Sequence, residues 1–160
     1  MSISKRVVDA MTELGFPLAP KPGYDIPPLP RDITELDDEG LMDLFVQFTQ
    51  WTDHLAGAMA IAAVNEREAE TALKNAEATG MLKNWTGNKK DTVAVLKAHN
   101  LASEEMQELR HDLDTKFAFH ELIRTKTQQV ERDSMLVSRE LTRRTSDGGG
   151  IRSRTRRFTA

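Results

Sequence analysis

Residues 103–144 read SEEMQELRHDLDTKFAFHELIRTKTQQVERDSMLVSRELTRR. Within them Met106, Leu109, Leu113, Lys116, His120, Ile123, Thr127, Val130, Ser134, Val137 and Leu141 recur at alternating steps of three and four. That spacing is the seam of a long packed helix. Neither glycine nor proline interrupts it. Four of the seam positions, Lys116, His120, Thr127 and Ser134, are polar, so the helix needs neighbours to be stable.

A second stretch of the same length lies upstream. Between about Asp38 and Thr79, Leu41, Phe48, Leu55, Ala62, Ala69 and Ala76 stand seven apart, with Leu44, Trp51, Ala58 and Ala72 interleaved. Thr34 and Asp37 are capping candidates for it, and Glu35, Asp37, Asp38 and Glu39 place negative charge where a helix N-terminus favours it. Its first half is bulky. Residues 56–63 then read AGAMAIAA, small enough for another backbone to approach closely. Gly80 reads as its stop, residues 84–90 (NWTGNKK) as a loop, and Asp91 as the cap of a short helix ended by Asn100. Two rods of about 63 Å joined by a compact connection predict a long antiparallel, coiled-coil-like helical hairpin.

Upstream of the rods, Ile3, Val7, Met11 and Leu14 predict a short amphipathic helix between a Ser2 or Ser4 cap and Gly15. All six prolines crowd between Pro17 and Pro30. They favour an extended path, read as a stiff linker strapped along the body or, alternatively, as a ligand for an aromatic groove. The organisation is therefore a helix over residues 1–15, a linker over 16–33, a hairpin core over 34–145 and a disordered basic tail over 146–160. The fold class is all-α. A two-helix core leaves apolar surface over, and Phe45, Phe48, Trp51, Leu55, Phe117, Phe119, Leu122 and Leu136 are the expected oligomer or partner interface of a bundle or ring.

Charge divides along the chain. From Arg143 onward six arginines face the single Asp147, a net of +5, whereas the other 142 residues carry a net of −8. Arg143, Arg144, Arg152, Arg154, Arg156 and Arg157 are the candidate DNA-binding residues: their guanidinium groups suit phosphate, and Phe158 could stack. Contacts of that kind are salt-sensitive and blind to base sequence. A tail that docks on an acidic protein, or merely solubilises, is the competing reading.

Cysteine is absent, which excludes disulfides and thiolate chemistry. His120 and Glu121 begin a zinc-protease pattern whose second histidine is replaced by Arg124, and Glu108 with His111 lacks the second pair that a di-iron bundle needs. Gly87 to Lys90 lacks the upstream glycine of a phosphate loop. The expectation is a non-enzymatic protein with no cofactor and no metal. No apolar run reaches the roughly 20 residues of a membrane helix, and residues 1–10 lack a signal-peptide core, so no membrane partner is expected.

Pro28 to Arg31 leading into Asp37 to Trp51, and Glu131 to Arg144 followed by the basic tail, resemble small terminase subunits and related small helical assembly proteins of tailed phages infecting actinobacteria. The resemblance spans most of residues 28–157. It implies a hairpin core that forms a ring, binds double-stranded viral DNA and hands it to the large terminase subunit in the cytoplasm of the infected host. The chain departs from many members in having one short helix and a proline spacer where they carry an N-terminal helix-turn-helix. The alternative is a structural or scaffolding coiled-coil protein of virion assembly that binds other proteins and not DNA.

Overall fold

The computed structural model describes residues 2–85, 87 and 92–156, with side chains through residue 146. It contains α1 (Ile3–Glu13), a 3-10 turn (Ile33–Glu35), α2 (Asp38–Asn84), α3 (Val93–Leu101) and α4 (Glu104–Arg156). It is 81% helical, with no strand among the described residues, as the all-α reading requires.

Local chemistry sets most of the helix ends. The Ser2 hydroxyl accepts from the Lys5 N–H at 3.4 Å to start α1. At its other end Gly15 sits at φ +82° while the Gly15 and Phe16 N–H groups bond Thr12 O and Met11 O, a left-handed termination suited to glycine. Asp37 caps α2 by accepting from the Gly40 N–H at 2.8 Å. Thr34, the other capping candidate, serves the 3-10 turn instead. Its hydroxyl and N–H both donate to Asp32 Oδ1, and that pair holds the Asp32 carboxyl below the usual carboxylate range.

Gly80 does not stop α2, which continues to Asn84. Its missing side chain has another use. A Cβ at Gly80 would lie 2.0 Å from Asn100 Oδ1, because the Asn100 amide packs on this turn and its Nδ2 donates to Glu77 O at 3.1 Å. Asn100, expected to end α3, is accordingly buried inside that helix. Thr92 caps α3 by accepting from the Val95 N–H, and the expected cap, Asp91, lies outside the described residues. Ala102 and Ser103 separate α3 from α4. The Ser103 hydroxyl donates to Asn100 O and accepts from the Met106 N–H, closing one helix and opening the next.

Contacts divide the chain into two compact units. One comprises residues 1–18 and 58–124. Here the seam is lined by Ala62, Ala69 and Met106, all buried, and its polar positions find partners. His120 Nδ1 meets Glu66 Oε2 at 2.6 Å, Arg110 reaches Glu77 at 3.9 Å, and Lys116 turns aside to Asp112 at 2.8 Å. Partner numbers fall on α4 as they rise on α2 within this unit. The N-terminal helix touches the same unit through buried Ser4 and an Ile3 N–H bond to Glu68.

The other unit comprises residues 19–57 and 125–160. Leu41, Leu44, Phe48, Trp51, Leu55, Val130 and Val137 form its core. Ile26, Leu29, Ile33, Leu36, Phe45 and Leu141 pack against them. The proline-rich stretch is therefore a strap: Tyr24 Oη donates to Gln50 at 2.5 Å and His54 Nδ1 meets Ala19 O at 3.1 Å. Phe48, Trp51 and Leu55, expected at an interface, are buried in the unit's own core, where Ile26, Leu29, Ile33 and Leu36 supply cover that a two-helix layer lacks. Each such burial contributes on the order of 1.5–3 kcal/mol.

The contact between Gly80 and Asn100 yields a prediction of unusual sign. In an open helical position Gly→Ala stabilises by about 1 kcal/mol; here Gly80→Ala should destabilise by about 1–3 kcal/mol through overpacking. Adding Asn100→Ala to Gly80→Ala should recover part of the loss. Denaturant midpoints check both, and a stabilised Gly80→Ala single variant would refute the packing argument.

Candidate nucleic-acid interface

The arginines chosen from sequence separate into two groups. The side chains of Arg152, Arg154 and Arg156, and all of Arg157, lie outside the described residues. So does the expected tail beyond Ser146, apart from the α4 backbone. Arg143 and Arg144 are described, and their principal role is structural.

Both converge on Glu140, one turn back on α4. Arg143 donates through Nε and Nη2 to the two Glu140 oxygens at 2.8 and 2.6 Å, a bidentate clamp. Arg144 Nε adds a bond to Glu140 Oε1 at 2.8 Å. The Glu140 side chain is only 7% exposed. Arg143 foremost, then Arg144, hold its carboxyl at about 2 against an ordinary value of 4.5.

Arg144 has further commitments. Its Nη1 donates to Asp38 Oδ1 at 2.9 Å, and its Nη2 donates to Thr34 O at 3.0 Å. Arg144 thus has three acceptors, and its side chain is only 20% exposed. Expected from sequence as a DNA ligand, it here fastens this turn of α4 to the start of α2. Asp38 is 81% exposed, so water screens that arm, and Glu140 is the stronger partner. Asp38, then Glu140, push the Arg144 guanidinium up, so it stays charged at every accessible pH. Arg143 keeps more than half its side-chain surface exposed beyond the clamp.

The remaining residues expected at a partner surface differ in exposure. Phe117, Phe119 and Leu122 are exposed and Leu136 marginally so, whereas Phe45 packs on the core. At about 100° per residue, Phe117 falls on one flank of the local seam (Lys116, His120, Ile123), while Phe119 and Leu122 fall on the other. Among the described residues no three histidine, aspartate or glutamate side chains gather as a metal site would, and no helix is long and apolar enough to cross a membrane.

One surface was missed from sequence. Ala78, Met81 and Leu82 of α2, Trp85, and Val93 and Leu96 of α3 line an apolar groove of about 480 Å³. Trp85, a large aromatic inside a stretch read as loop by composition, was one signal of it. Comparison with protein families, curated proteins and solved structures finds no match.

The depressed Glu140 value has a consequence with a definite sign. This carboxyl ionises more readily in the folded chain than in the unfolded one, so it stabilises the fold above the ordinary glutamate range. That contribution fades as pH falls from about 4.5 to about 2. Glu140→Gln should lower the thermal midpoint at neutral pH and flatten its acid dependence across that window, the two proteins converging below it. Parallel Tm-against-pH curves would show that the clamp contributes nothing.

Proposed function

We propose that the chain is one subunit of a homo-oligomeric, non-enzymatic adaptor built from helical hairpins. In this reading it holds double-stranded DNA without reading base sequence and passes it to a motor subunit, as small terminase subunits do. The carrying observation is the Glu140–Arg143–Arg144 clamp with its bonds to Asp38 and Thr34. It fixes the last fully described turns of α4, so that Arg152, Arg154, Arg156 and Arg157 follow from an anchored point rather than from a frayed end. The antiparallel pairing of Glu66 with His120 and Glu77 with Arg110 supports the hairpin.

Self-association is supported by uncovered apolar side chains, among them Phe117, Phe119 and Leu122 of α4, with Ile3, Val7, Met11 and Leu14 at α1.

The same exposed phenylalanines favour a second reading, a scaffolding protein of virion assembly whose helices bind other proteins and leave DNA untouched. DNA retention against salt separates the two. The full chain should bind at low salt with a log–log slope steeper by up to about 3–4 than a chain ending at Asp147, since four arginines are lost at roughly 0.9 per phosphate. The truncated chain keeps the clamp and should stay folded. Equal retention by both chains, or none by either, would discard the arginine mechanism and leave the scaffold.

A further inference from the structure

We infer that α4 carries a second phosphate-contacting surface, a folded arginine stripe at Arg132 and Arg139 that lies ahead of the tail on the same helix. The inference rests on the DNA reading and adds the contact that lays a duplex along α4.

The stripe follows from where α4 puts its charges. Residues 125–146 hold Lys126, Arg132, Arg139, Arg143 and Arg144 against Glu131, Asp133 and Glu140, so the two signs look interspersed in the sequence. Folding separates them. Asp133 and Glu140 are each 7% exposed, whereas the Arg132 side chain is 67% exposed and Arg139 is exposed. At about 100° per residue, Arg132 and Arg139 fall nearly opposite the fully buried Val130 and Val137, on the outward face of the helix. The exposed side chains between them, Met135 and Leu136, carry no charge. Glu131 is the exposed carboxylate of this segment. Arg143 shares the face, but its guanidinium is bonded to Glu140.

Neither of the two arginines has a strong partner of its own. Arg132 reaches Asp133 only at 3.5 Å, and Arg139 makes no hydrogen bond or ion pair among the described residues. They stand about 10 Å apart along the helix axis. A duplex presents one charge per about 1.7 Å of its own axis, so both guanidinium groups can meet phosphate. Gln128, Thr142 and Ser146 fall on the same exposed face and supply the neutral donors that phosphate contacts also use.

A carboxylate-rich protein surface attracts the same arginines, and residues 19–57 of a second copy would offer one, with eight acidic and two basic side chains. Four of those carboxylates already accept bonds within their own chain: Asp32 from Thr34, Asp37 from the Gly40 N–H, Asp38 from Arg144 and Asp43 from Gln47. Continuity favours the polyanion. The α4 backbone runs on to Arg156, so Arg152, Arg154 and Arg156 follow the stripe on one element. A duplex along α4 meets both sets, while the net charge of −6 on residues 19–57 turns it away from that segment.

Retention of a short DNA duplex of arbitrary sequence is measured against salt for the full chain and for two full-length variants. Arg132→Gln with Arg139→Gln removes the stripe, and Lys21→Gln with Arg31→Gln removes the same charge from the acidic segment. The stripe variant should lower the log–log slope by about 2, at roughly 0.9 per phosphate, and weaken low-salt binding about tenfold or more. The Lys21, Arg31 variant should leave the slope unchanged. Arg139→Gln alone, which loses no bond within the described chain, should lower the slope by about 1. Failure of the full chain to bind at low salt overturns the DNA reading and the stripe together. A full chain that binds with a slope unchanged by the stripe substitutions, or lowered as much by the Lys21, Arg31 pair, overturns the stripe and leaves the tail standing. Stripe substitutions that weaken self-association in light scattering and leave DNA retention unchanged assign the face to the carboxylates of a second copy, and overturn it as a DNA contact.

Discussion

A helix of 47 or 53 residues can bury one stripe against a single neighbour, and that geometric limit governs the rest of the structure. The stripe on α4 is set by steps of three and four. Everything off it must be charged, covered by another segment, or left exposed. Residues 19–57 and 125–146 take the second course, with the proline strap laid over Phe48 and Trp51. Among the described residues, the unit holding residues 1–18 and 58–124 shows no equivalent strap, and its seam includes alanines, a methionine and partnered polar groups. There the uncovered apolar side chains accumulate: Phe117, Phe119 and Leu122 on α4, and Leu82 with Trp85 at the end of α2.

The polar seam positions show how a stripe can tolerate charge. His120 sits where a coiled coil wants an aliphatic residue, and Glu66 meets it across the seam at 2.6 Å. Ala62 and Ala69 lie on the same helix as Glu66, and their small side chains leave room for an imidazole and a carboxylate together. Lys116 escapes by bonding Asp112 one turn away on its own helix. Such pairs add little net stability. They instead disfavour registers in which the same groups would face apolar residues.

Much of this was legible in the sequence because heptads and caps are local signals. The seams, the Ser2 and Asp37 caps and the left-handed Gly15 all depend on neighbours within a few residues. The misreadings share a cause, which is a partner distant in the chain. Gly80 looked like a stop because glycine usually punctuates, whereas Asn100, twenty residues on, requires its bare backbone. Phe48, Trp51 and Leu55 looked surplus because the proline stretch, though read as strapped along the body, carries no local periodicity that would place Ile26 to Leu36 over them. In the clamp, Glu140 at three and four residues before Arg143 and Arg144 was readable as helix-surface pairing, but the Asp38 and Thr34 ends of the same network were not.

That clamp changes how the basic end of the chain should be counted. With Arg144 bonded to Glu140, Asp38 and Thr34, and Arg143 holding both oxygens of Glu140, the pair neutralises acidic groups of its own unit instead of extending the positive run. The charge offered to a polyanion then falls mainly on Arg132 and Arg139 with Arg152, Arg154, Arg156 and Arg157, too few for tight binding by one chain, since each phosphate contact weakens steeply with salt. The remainder of the chain is net negative, which would oppose a polyanion. In the proposed assembly both facts become useful. Several anchored copies would present their arginines together, and the gain comes from effective concentration rather than from any new contact. DNA would be held along the outward face and basic end of α4 and kept off the acidic segment at residues 19–57, a weak grip at each copy that a motor could move past.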